Sequence, residues 1–120
     1  MTVAVLSTGA GEPHAIPVST AVRRGPRTIA LALALGRESL ARLREDPRCA
    51  LTVIAAGNTV FTAIGRAVTI SDGDRVARVE IEVDRLQDHA RDTFLIEDGV
   101  RWHWTTADAE RADAKVRAEL

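Results

Sequence analysis

Turn-forming residues break this chain into short pieces, and the spacing of the breaks limits what it can fold into. Thr8 to Glu12, Arg24 to Arg27, Gly57 with Asn58, Ser71 to Asp74 and Glu97 to Gly99 each carry glycine among small, polar or proline neighbours, the chemistry of tight turns. The runs between them are rich in Val, Ile, Thr, Leu and Ala and read as strands: Val3 to Ser7, His14 to Arg23, Thr28 to Leu35, Arg48 to Ala55, Thr59 to Ile70 and Val76 to Leu86. A last short strand is expected over Val100 to Thr105. Helices are expected over Arg37 to Asp46, where Pro47 ends the turn by pushing Asp46 out of helical conformation, over Gln87 to Ile96, and over the capped tail from Thr106 to Leu120. Six or seven antiparallel strands in 120 residues predict one mainly β domain, 1–120, with 106–120 a peripheral helix. A closed or partly closed barrel, six- to seven-stranded, removes the exposed edges such a sheet would otherwise present.

The run from Thr28 to Leu35 adds detail. At a period of two, Ile29, Leu31, Leu33 and Leu35 fall on one side and Ala30, Ala32 and Ala34 on the other. The large side chains suit a barrel interior, and the small ones let a helix, another subunit or a flat ligand come close. A helix is the competing reading, since Ala and Leu are strong helix formers, but the flanking hairpin favours a strand. Val79, Ile81 and Val83 alternate with Glu80, Glu82 and Asp84 in the same way. Gly65 lies inside a strand and predicts a bulge or a close backbone approach.

Charge and composition exclude several classes. Net charge is −1, which argues against a general nucleic-acid or membrane-surface binder. Residues 1–70 nevertheless hold eight arginines against four acids, and residues 71–120 hold eight bases against thirteen acids; an anionic ligand is better served by the front half, although a solvated surface accounts for the same asymmetry. Cys49 is the single cysteine, so neither an intrachain disulfide nor a cysteine-rich metal site is expected. The three histidines, His14, His89 and His103, are far apart in sequence, and no metal site is expected. Glu80, Glu82 and Asp84 read as a wet strand face, and no nucleophile motif or phosphate-cradling loop occurs. No apolar run approaches a membrane span and the first residues lack a signal-peptide pattern, so the expected compartment is the cytoplasm.

One segment reads as a site. Leu35 to Ser39 joins a strand to a helix, where free N–H groups and the helix dipole favour an anion; Arg37 supplies a forked donor and Ser39 a hydroxyl. The bland alternative is that Gly36 or Ser39 caps the helix and Arg37 is solvated.

Three stretches in this order and spacing resemble one family. They are Leu6 to Thr8 followed by Gly11 to Val18, then Ser39 to Leu51 with Asp46, Pro47 and Arg48 at its centre, and finally Gly65, Arg66 and Ala67. Together they are similar to the pyridoxamine 5′-phosphate oxidase-like split β-barrels, which include FMN-binding proteins and reductases that use the deazaflavin F420. The resemblance implies a homodimer with two cofactors in clefts shared between subunits. It implies an isoalloxazine ring near Pro17, Val18, Ser19, Ala32 and Ala34, a phosphate at Arg37 and Ser39, and an aromatic from Trp102 or Trp104 for the partner's pocket. Either tryptophan could equally plug one end of the barrel. Better flavin binders of the family carry Ser-Arg-Lys-Ala at the helix start, where this chain has Arg37, Glu38, Ser39 and Leu40. The resemblance therefore implies an FMN- or F420-dependent oxidoreductase acting on a small organic molecule, or a non-catalytic carrier, or a barrel that has lost its cofactor.

Overall fold

A computed structural model describes residues 2–120. One antiparallel sheet of seven strands holds β1 (Ala4–Thr8), β2 (His14–Val18), β3 (Val22–Arg23), β4 (Thr28–Ala34), β5 (Arg48–Ala55), β6 (Thr59–Asp72) and β7 (Val76–Asp88) in the order β2-β1-β5-β6-β7-β4-β3. The edge strands β2 and β3 do not pair, so the sheet curls into a half-barrel that stays split along one side. Helix α1 (Glu38–Glu45) packs against β1, β2 and β4, and α2 (Ala107–Ala118) lies at the end of the chain. No helix among the described residues is long and apolar enough to cross a membrane.

The mainly β split barrel expected from the turn spacing is thus the observed fold, with three differences in its elements. The run from His14 to Arg23 is two strands, because Thr20 leaves the ladder: its Oγ1 accepts from Ala32 N and donates to Ala32 O, both at 3.2 Å. The helix expected over Gln87 to Ile96 does not form. Its first two residues extend β7 instead, since Phe61 and Thr62 of the long β6 offer Asp88 and Gln87 a ladder. The rest, with Phe94, Leu95 and Ile96 consecutive rather than at helical spacing, is irregular. Asn58 holds it there. From a left-handed conformation at φ 58°, its amide donates to Phe94 O at 2.8 Å and Arg91 O at 3.3 Å and accepts from Ile96 N at 2.6 Å. The strand expected over Val100 to Thr105 is also absent, because β5 and β6 already have partners on both sides and no sheet edge lies next to it.

The core lies inside the curl. Leu6, Leu31, Leu33, Leu51, Val79 and Ile81 converge there, and Leu40 and Leu43 of α1 close one end. Strand β4 divides as its periodicity predicts: Leu31 and Leu33 are buried inward, Ala32 and Ala34 lie on the outer face, and Ala30 on that face is fully covered.

Gly65 makes the curl possible. The β6–β7 register slips between Ile64 and Gly65 and again between Ala67 and Thr69, and bulges of this kind bend a strand and increase its twist. A Cβ at Gly65 would sit 2.0 Å from the Glu82 carbonyl oxygen and 3.0 Å from Val83 Cα. Neither is the movable end of a side chain, so nothing but glycine fits. Gly65→Ala is expected to cost about 3 kcal/mol, read as a lowered urea midpoint; an unchanged midpoint would show that the two strands do not meet there.

Candidate functional site

The outer face of β4 is small and open enough to receive a ligand. Ala32 lines a cavity of about 660 Å³ together with the β6–β7 turn (Ser71 to Val76), Arg78, and Lys115, Val116 and Leu120 from α2 and its end, within the usual range for small-molecule sites. Helix α2 stands over this cavity. Thr106 caps its start by accepting from Ala109 N at 3.1 Å, and Lys115 and Arg117 sit in its last turn, where they complement the dipole. Its other end is tied down: Arg117 donates to Ser19 O, and Arg24 and Arg78 both donate to Leu120 O. The Leu120 side chain is buried. Ser19 and Ala32 are therefore neighbours through Thr20, beneath the same helix.

At the start of α1, Arg37 occupies the cap position with extended backbone and no side-chain cap bond. It is exposed, and its guanidinium meets no hydrogen-bond or ion-pair partner among the described residues. Ala34, exposed at the end of β4, accepts from Arg37 N at 3.0 Å. The two residues that follow behave differently. Glu38 Oε2 lies 2.7 Å from His14 Nε2 and 3.5 Å from Arg42 Nε, so its charge is engaged away from Arg37. Ser39 is 1% exposed, with Oγ 3.5 Å from His14 Nδ1; it faces the protein rather than solvent. Arg42 ties the first turn of the chain to α1 through Ala10 O and through Glu12 O at 2.7 Å.

The remaining residues fall elsewhere. Pro17 is exposed on the outer face of β2 opposite Val5, and Val18 points into the core. Trp102 and Trp104 stack edge to face, centroids 4.9 Å apart and planes at 86°, and line a separate groove of about 470 Å³ with Arg101, His103 and Glu110. Glu110 belongs to the opening half of α2, whereas Ala32 faces its closing half. Ser19 and Ala32 thus lie beneath α2, and Ala34 and Arg37 are joined by a backbone hydrogen bond where β4 ends; the tryptophan pair, Pro17 and Ser39 stand apart from both. Sequence reasoning missed the roof over the Ala32 face, whose only signal was Val116 and Leu120 on an otherwise polar helix. It also missed His14 as the partner of Glu38.

No group of three or more His, Cys, Asp or Glu is arranged to hold a metal among the described residues. Cys49 is buried in the core cluster, and burial pushes its thiol up to about 11 from an ordinary 9.0.

The fold defines a class: a mainly β split barrel with a cavity on its outer wall. A family model described as pyridoxamine 5′-phosphate oxidase matches residues 1–112, and the chain belongs to that family. No curated protein matches it in sequence. Among solved structures it is similar to an NADH:FAD oxidoreductase of Streptomyces globisporus C-1027, at 14% identity over 72% of this chain and 75% of that one, TM-score 0.65. It is similar to the styrene monooxygenase flavin reductase of Pseudomonas putida S12, at 13% identity over 73% and 79%, TM-score 0.64. It is also similar to an F420 reductase, at 13% over 73% and 90%, TM-score 0.64. At such identities these likenesses speak to the fold.

The Cys49 thiol stays protonated in the folded state, so it is expected to resist alkylation at pH 8 and to react once the chain is unfolded. Because the folded-state value is the raised one, stability is retained below pH 9 and falls as pH climbs toward 11. Fast stoichiometric alkylation of folded protein would contradict this burial.

Proposed function

We propose that this chain is a cytoplasmic flavin-binding oxidoreductase that holds FMN against the outer face of β4 and works as a homodimer. The observation that carries the reading is the cavity over Ala32 on the outer face of β4, on a strand whose end at Ala34 leads within three residues to an exposed arginine, Arg37, in a chain of this family. The residues present fit the group in part. Ala32 and Ala34 leave room for a flat ring, Ser19 stands at its edge, and Arg37 with the first N–H groups of α1 suits a phosphate. Ser39 contributes no outward hydroxyl. The bound cofactor supplies hydride transfer to or from a small organic molecule, while the protein orients it and sets its electrostatics.

Support for two copies comes from the sheet itself. The outer face of β2, β1, β5 and β6 carries Ala15, Pro17, Val5, Thr52, Ile54 and Ile64, and Ile54 is 52% exposed. A second copy would cover this uncharged surface and bring its partner's residues to Pro17, and the tryptophan pair is offered to the partner's cleft.

A second reading has its own observation. Glu38 and the inward-facing Ser39 stand where the family's better flavin binders carry basic residues, which favours a non-catalytic carrier or a barrel without cofactor. F420 in place of FMN asks for a larger basic groove, and Arg75, Arg78 and Lys115 around the cavity are its support.

Titration with FMN and, separately, F420, followed by cofactor fluorescence, is expected to give salt-sensitive micromolar binding of one of them. Arg37→Ala removes a charge-assisted contact of about 1.5–3 kcal/mol, a loss of one to two orders of magnitude in affinity. Sedimentation of the same samples is expected to show a dimer that Ile54→Arg splits. A well-folded dimer that binds neither cofactor would end the oxidoreductase reading.

A further inference from the structure

The half-barrel has a second concavity, on the inner side of β4 and independent of the outer cavity described above. Ile29, Leu51, Val53, Phe61, Ala63 and Val83 form the apolar wall of a cavity of about 600 Å³ that opens where the two-residue β3 leaves the sheet unclosed. Ile29, Val53, Phe61 and Val83 all lie against the core, yet each is only half-buried. The chain has two phenylalanines and no tyrosine, and Phe61 is the one ring in this lining, so the side chains present do not fill the space. Leu86 stands at the mouth, 61% exposed.

The rim is cationic. Arg23 is the register partner of Ile29 and leaves the sheet on the same face. The Arg27 carbonyl accepts from Val83 N at 2.7 Å, which fixes the turn that carries its side chain over the opening. Neither guanidinium has a carboxylate partner among the described residues. Asp84, the one acid in the lining, is already paired with Arg66 at 2.8 Å. An apolar slot closed by a few oriented polar groups is the usual form of a small-ligand site, and here those groups are two arginines without a counter-ion, Arg23 held in place by donating from Nε to Gly25 O at 3.0 Å.

We propose that this mouth binds an amphipathic monoanion, a carboxylate on an aliphatic body of medium length, with the apolar part among Val53, Phe61 and Val83 and the carboxylate at Arg23 and Arg27. A second copy of the chain is the poorer occupant: a two-fold contact centred on this mouth would bring the two copies' arginine pairs together with no carboxylate between them.

The test needs no flavin, so its outcome is separate from that of the cofactor reading. Decanoate, decanol and decylammonium are titrated calorimetrically into the full chain at low and moderate salt. Decanoate is expected to bind at micromolar strength, at least tenfold tighter than the other two. The double variant Arg23→Ala/Arg27→Ala lies at the surface and keeps the fold; it is expected to weaken decanoate at least tenfold and to erase its advantage over decanol. Val53→Phe fills the slot and is expected to remove binding. No preference for decanoate over decylammonium, an affinity untouched by the arginine pair, or decanoate binding that disappears as the protein dimerises would each overturn the proposal.

Discussion

The contact between Gly65 and the Glu82 carbonyl sets the shape on which everything else depends. Strands β6 and β7 form the longest hairpin in the molecule, and a straight pair of that length would lie flat. Slippage of the register at Gly65 and again before Thr69 bends it, so that β5 and β1 curl to one side and β4 and β3 to the other. The interior then closes over Leu6, Leu31, Leu51 and Val79, while the two edge strands stop short of meeting. A hydrogen atom in place of a side chain at one position thus decides that the sheet is a half-barrel and that it has a mouth.

Strand β4 stands between the two ligand-sized spaces. Its inward residues, Ile29, Leu31 and Leu33, build the core and one wall of the mouth, and its outward alanines build the floor beneath α2. The alternation of large and small residues along a single run therefore creates two different environments, one apolar with a cationic rim and one lined by charged side chains with a helix as roof. The roof is held more by arginine than by apolar contact: Arg117 reaches Ser19, and Arg24 and Arg78 reach Leu120. Hydrogen bonds from charged donors to backbone oxygens of this kind are worth more than neutral ones.

Much of this arrangement was written in local pattern. The turns up to Asp74, the two-faced Thr28–Leu35 run, the Pro47 stop and the glycine in β6 all report on neighbours within a few residues, and all appear in the fold; the turn expected over Glu97 to Gly99 does not. What the sequence misled about was decided at a distance. Gln87 and Asp88 became strand because β6 happened to extend past them, and the segment after them took its course from the side chain of Asn58, some thirty residues away in the chain. Trp102 and Trp104 keep a strand-like alternation with their exposed neighbours but found no free edge to pair with. Of the residues named for a cofactor, Ser19 and Ala32 come together beneath α2, and Ala34 and Arg37 meet at the end of β4, because β4 and its flanking turns are local. Ser39 turned inward because His14, from another strand, lies where only the tertiary fold could bring it.

The claim at the centre of this account is that the outer face of β4 receives the cofactor ring. Ala32→Phe tests it directly, since the added ring occupies the cavity between β4 and α2 without entering the core. The account predicts a variant that melts close to the parent and has lost flavin binding, measured by fluorescence titration. A variant that binds the flavin with the parent's affinity would contradict it and move the cofactor elsewhere on the barrel.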